Sequence, residues 1–320
     1  MRRACAHIAL AVLILTVASA QSEQASLAQA NAALQAGQAD RALAILASMP
    51  SSAESHNLRC RVFFTLEQWA TAAEECEQAV RLDPNSSLDH MWLGRTLGEK
   101  AGRASFLSAY SLAKRVRGEF EIAVRLNPRS AEALADLGEF YYDAPGIVGG
   151  GEDKAYRIAD QLDKVSPSRA YELRGRIAEK RKDFDTAERE FKQAVSVDPH
   201  PAFPWTTLAS FYHRRSRWSD MDAALKNVLK ASEHDHHAGV ALYDGASVLI
   251  AAKRNPELAV RMLEEYIAEP FKSEEAPACA AFTRLARLKA QLGDLPEARR
   301  DRGEALKLAH AYQPALDLNL

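Results

Sequence analysis

Residues 67–84 read EQWATAAEECEQAVRLDP, and residues 182–199 read KDFDTAEREFKQAVSVDP. An aromatic residue, Thr-Ala, acidic residues and Gln-Ala-Val closing on Asp-Pro recur in the same register at two distant places. GEFEIAVRLNP (118–128) repeats the closing half, and GDLPEARRDRGEALKLA (293–309) repeats it again. A second pattern precedes these blocks: HMWLGRTLGEK (90–100), EALADLGEFYY (132–142), YELRGRIAEKRK (171–182) and AFPWTTLASFYHRR (202–215). Its apolar residues fall at i, i+3, i+4 and i+7, the spacing of one helix face. No run of alternating β-branched residues occurs, so the expectation is an all-α chain of paired helices.

The small residues set the register. Gly94, Gly138, Gly175, Ala209 and Gly245 stand on the first helix of successive pairs. On the second helices stand Ala72 and Ala79, Ala187 and Ala194, and Ala298 and Ala305, with closing prolines at Pro84, Pro128, Pro167 and Pro199. This set resembles the tetratricopeptide family, whose unit is a helix–turn–helix of 34 residues. The resemblance covers nearly all of residues 21–310 and implies a right-handed α-solenoid of about eight repeats, with 311–320 as a C-terminal cap or tail. First helices are expected near 22, 53, 87, 131, 168, 202, 238 and 279. Met221 stands where the sixth unit's first alanine is expected, and the last unit closes on His310 instead of proline. Gly or Ala on one helix facing Ala on the other would let the two backbones approach closely. One hairpin cannot bury its own apolar face, so neighbours must stack into a single curved array.

Residues 1–20 are different. Arg2 and Arg3 lead into the apolar run IALAVLILTV (8–17), and ASA (18–20) puts small residues before Gln21, the form of a cleaved secretory signal. The stretch is too short to span a bilayer, which needs about 20 residues, and no other segment could cross one. Export to a bacterial periplasm or to the medium is the expectation. With 41 basic and 43 acidic side chains, the charge supports neither nucleic acid nor an anionic membrane as the main partner.

Export bears on the cysteines. Cys60 and Cys76 face each other across the second hairpin; a disulfide there is plausible, and two buried thiols acting as small hydrophobes is the preferred reading. Cys279 reads as structural.

Three further stretches invite chemistry. Gly146-Ile-Val-Gly-Gly-Gly151 begins like a phosphate loop, but Glu152-Asp153 stand where Lys and Ser or Thr are required, and no strand precedes it. It reads as an expanded turn inside the fourth hairpin whose tip, Ile147-Val148, folds back or meets a partner. Ser111-Leu-Ala-Lys114 lacks the companion motifs of a Ser-x-x-Lys enzyme. In Glu233-His-Asp-His-His237 a metal shared by His234 and His236 is the sharper reading and a polar loop the plainer one.

The resemblance implies that first helices line a concave face where partner peptides bind. On that face fall Asn57, Arg61, Phe64, Met91, Trp92 and Arg95, then Glu132, Asp136, Glu139 and Tyr142, then Arg176 and His213. The Lys and Asn pairs of the family's clamp for a terminal carboxylate are absent. The expectation is therefore a non-enzymatic exported scaffold for a protein or extended peptide, with no cofactor and no resident metal. The alternative is a periplasmic carrier or transporter accessory holding a small ligand near Tyr110, Tyr141 and Trp92.

Overall fold

A computed structural model of the chain describes residues 21–320 other than His234, His236 and His237; the signal-like stretch and the His-rich turn's three imidazoles lie outside the described residues. No strand occurs among the described residues. The chain runs as successive hairpins: α1 (21–35) with α2 (Ala39–Ala47), α3 (Ala53–Thr65) with α4 (Trp69–Leu82), and α5 (Ser87–Gly102) with α6 (Phe106–Leu126). Then come α7 (Ala131–Asp143) with α8 (Glu152–Leu162), α9 (Pro167–Lys180) with α10 (Phe184–Val197), and α11 (Ala202–Arg214) with α12 (Trp218–Ser232). The last are α13 (Gly239–Ala252) with α14 (Pro256–Ala268) and α15 (Ala278–Gln291) with α16 (Leu295–Leu308), followed by the short α17 (Gln313–Leu316).

What holds three of the hairpins differs from the expected small-on-small contact. A Cβ added at Gly94 would lie 2.4 Å from the Phe120 ring, at Gly175 2.8 Å from Phe191, and at Gly245 2.3 Å from the Met262 methyl. The glycine therefore opens a socket for a large side chain of the second helix. The alanines that flank it, Ala123 beside Phe120 and Ala187 and Ala194 beside Phe191, are fully buried and bring the helices together. In the second hairpin Cys60 occupies the glycine place and Cys76 the aromatic place, and the two form a disulfide with a Cα–Cα distance of 5.2 Å. This corrects the preferred reading of two thiols: the socket and its occupant are joined covalently. Cys279 is a buried free thiol.

Hairpin turns repeat as well. Gly37, Glu67, Lys182, Ser216, Lys253 and Gly293 all take positive φ just after a first helix, the left-handed residue that ends a helix within a tight turn. The third and fourth hairpins lack it. The third hairpin is longer instead: α5 has 16 residues and α6 has 21, and α6 carries Phe106 and Leu107 largely exposed at its start. In the fourth, residues 144–151 form the expanded turn, a single 3-10 turn at Gly146–Val148. Gly149 sits at φ 99° against Arg117, and a Cβ at Gly150 would collide with the Ala144 carbonyl oxygen at 1.8 Å, so the glycines serve close backbone packing. The tip divides: Val148 is buried and Ile147 is exposed. Pro167, expected to close a helix, instead opens α9 at its first position, where its missing N–H costs nothing.

The array bends until its ends meet. The Lys272 amide donates to the Gln35 carbonyl at 2.6 Å, and the His310 amide to Asp40 at 2.8 Å. Tyr312 donates its hydroxyl to Glu67 at 2.9 Å, and the Ala278 methyl packs over Gly37. Accordingly one core cluster joins Ala30–Leu66 residues to residues from Ala178 to Ala315, while a second runs from Cys60 to Ile177. Both clusters draw on α3 and α9, so the two are continuous bands and not independent lobes.

Two outcomes follow for stability. Gly94→Ala should lower the melting temperature, overpacking the third hairpin by about 1–3 kcal/mol, and adding Phe120→Leu should restore part of the loss. Denatured, unreduced protein lacking residues 1–20, and with them Cys5, should titrate one free thiol, and reduction should cost about 3 kcal/mol of stability for a loop of this size.

Candidate functional site

The first helices α5, α7, α9, α11 and α13 turn one face inward and enclose a cavity of about 600 Å³ open to solvent. Its walls are charged. Arg95 on α5 makes a two-pronged ion pair with Asp136 on α7, at 2.6 and 3.1 Å. Glu139 on α7 accepts from Arg176 on α9 at 2.8 Å, and Glu179 on α9 accepts twice from Arg214 on α11, at 2.8 and 2.7 Å. Glu172 on α9 accepts from Thr207 on α11 at 2.9 Å. Further round, Arg284 on α15 donates to Ser247 on α13 and lies 4.1 Å over the Tyr243 ring. Thus α5, α7, α9 and α11 are tied one to the next by side-chain polar contacts, as α13 is to α15.

That lacing accounts for much of the predicted set. Tyr142 lies under the Arg176 guanidinium and Lys180 ammonium, at 5.2 and 4.7 Å, and burial raises its pKa. His213 lines the cavity beside Trp218, with ring centroids 6.0 Å apart. Glu132, by contrast, is exposed in the first turn of α7 and sits away from the cavity beside the Ser130 hydroxyl. Met91 is buried in the core. Asn57 is buried and donates to Asp89 at 2.7 Å, and burial pushes that carboxyl up to about 6. Trp92 and Tyr141 are core residues and Tyr110 is exposed; none of the three aromatics considered for a small-ligand pocket lines this cavity.

Arg61, Phe64, Trp92 and Arg95 form a second, tighter group. Phe64 meets Trp92 edge-on at 5.4 Å, and the Arg61 and Arg95 guanidiniums lie 5.5 and 5.0 Å from the Trp92 ring. Arg61 grips Glu274, with its Nε at 2.9 Å from Oε1, and Arg95 reaches Glu275 at 3.1 Å. Both acids belong to the α14–α15 connection.

Sequence reasoning passed over Phe203, Asp244, Ser247 and Glu275, all of which line the cavity. Asp244 carried a signal: it is the lone charge on α13, GVALYDGASVLIAA. Burial is the main influence on it and raises its pKa to about 6, against the nearby Arg284. Glu172 is pushed up to about 7, again chiefly by burial, with the Thr207 hydrogen bond and Arg169 opposing. Both carboxyls hold protons in the folded chain that they would have released when unfolded. Their stabilisation is complete below about pH 4 and is lost as pH rises through 6 and 7. Glu172→Gln with Asp244→Asn should therefore flatten the fall in melting temperature between pH 5 and 8.

Family models described as Tetratricopeptide repeat match residues 27–87 and 168–201. Superkiller complex protein 3 of Mus musculus is 24% identical over 287 residues, which cover 75% of this chain; the chain spans only 18% of that relative's length. A thermophilic tetratricopeptide-repeat protein of Thermus thermophilus superposes with a TM-score of 0.46 at 20% identity, over 62% of this chain and 100% of that one. Pseudomonas aeruginosa PilF does so with a TM-score of 0.42 at 13% identity, over 79% and 97%. With the repeat matched in two separate parts and its hairpin carried through the helices between and beyond them, the described chain is an all-α solenoid of tetratricopeptide repeats.

Proposed function

We propose that the chain is an exported, non-enzymatic scaffold that receives a segment of a partner protein in the cavity enclosed by its first helices. The repeats themselves point to protein interaction. The observation that carries the finer reading is the cavity wall: five consecutive first helices present a continuous mixed-charge surface, with Phe203 and Val248 supplying apolar contact. An extended segment suits such a surface, because its backbone groups and alternating side chains meet successive helices in turn. The Arg95–Asp136, Arg176–Glu139 and Arg214–Glu179 pairs hold the wall rigid before the partner arrives, which reduces the ordering cost of binding.

Export rests on the sequence of residues 1–20 and agrees with the Cys60–Cys76 bridge, since disulfides persist in oxidising compartments. No described helix is long and apolar enough to cross a membrane.

Photo-cross-linking residues placed at Ser210 and Ala251, on the cavity wall, and at the outward Lys226 test this reading in the native host. Discrete adducts from the two inner positions, in an exported fraction and absent from Lys226, are expected. Adducts of equal strength from all three, or from Lys226 alone, would refute the cavity as the binding surface.

A further inference from the structure

The connection between α14 and α15 is out of proportion. The other fully described joints between hairpins use four or five residues, as at 48–52, 83–86, 127–130 and 198–201, whereas this one spends nine, residues 269–277. It does not loop out. It runs without helix or strand across to the first hairpins, where the Lys272 amide meets the Gln35 carbonyl at 2.6 Å. Tyr266 pins both ends of the bend, accepting from the Ser273 amide at 3.3 Å and donating to the Ala276 carbonyl. Glu274 and Glu275 then fall on Arg61 and Arg95, the two guanidiniums beside the buried Trp92.

We infer that residues 271–276 are an internal ligand, and that the Arg61–Trp92–Arg95 surface takes an acidic, extended segment of a partner protein once this segment lifts away. The inference rests on the peptide-binding reading above and names the chemistry of what binds. Three observations carry it. Two guanidiniums stacked near one indole offer planar, two-donor faces suited to carboxylates. The occupant has no helix or strand of its own and is held by Gln35, Tyr266 and the two arginines, with Ala276 and Lys272 buried at its two ends. Its acids are unequally committed: the Glu274 side chain is 15% exposed and Glu275 57%, and Phe271 is 61% exposed. A competing chain can therefore begin to displace the segment from its outer side.

Tethering explains why such a site would be closed by default. A segment fixed at both ends by α14 and α15 is present at an effective concentration on the order of millimolar. A partner's segment must exceed that, and its apparent affinity falls by the fraction of time the site is open.

The test uses a labelled synthetic peptide of residues 269–277, EPFKSEEAP, and a control in which both acids of the pair are glutamine. Polarisation should show weak binding to the unaltered chain and at least tenfold tighter binding to the Glu274→Gln, Glu275→Gln protein. Adding Arg61→Ala should remove the gain, and the glutamine control should not bind. Circular dichroism establishes that each variant is folded. On the unaltered chain, where folding is not at issue, saturating peptide should raise amide exchange within 271–276. A folded double variant that binds no more tightly, or exchange that is unmoved by peptide, would overturn the internal ligand. Cross-links from Ser210 and Ala251 retained in that case would leave the cavity reading standing; their loss as well would remove both.

Discussion

Two helices can cross closely only if one yields space at the crossing, and this demand governs the whole molecule. Gly94, Gly175 and Gly245 yield it to Phe120, Phe191 and Met262. The buried side chain is large, so each hairpin gains a local core of its own, and the flanking alanines allow that core to seat. The Cys60–Cys76 bridge occupies the same crossing in the second hairpin. One geometric solution is thus reached by shape in some repeats and by a covalent bond in another.

With the hairpins stacked side by side, the first helices line one cavity and their polar side chains meet. The Arg95–Asp136, Glu139–Arg176 and Glu179–Arg214 pairs are the product of that stacking. Partly enclosed pairs of this kind contribute little net stability, since desolvation offsets attraction. Their effect is on orientation. They spend most of the wall's charge internally and leave Glu172 and Asp244 as the carboxyls held by burial instead of by a close cation.

The hairpins were legible because their cause is local. Gly at one place, Ala at two and an apolar stripe recur along the units, and from the second hairpin onward every expected first helix is found within a residue of its place. The partner across each crossing was not legible: that Gly94 faces Phe120 and not an alanine depends on how far the helices slide, which no spacing records. The site was half legible. Arg61, Trp92 and Arg95 could be placed on the inner face, but Glu274 lies more than two hundred residues away in sequence, and only closure of the array brings it to Arg61. Asn57 and Met91 share the inner helices' register yet are buried, because neighbouring repeats cover more of the face than one helix reveals.

Closure also restricts how such a chain can change over time. An open row of repeats tolerates duplication of a unit, since each touches only its neighbours. Here Tyr312 must reach Glu67, and the His310 amide must reach Asp40. One hairpin more would overshoot those contacts, and one fewer would leave a gap. The tally of units is therefore constrained, and extra length is taken up within units or their joints, as in the long third hairpin and the expanded turn of the fourth.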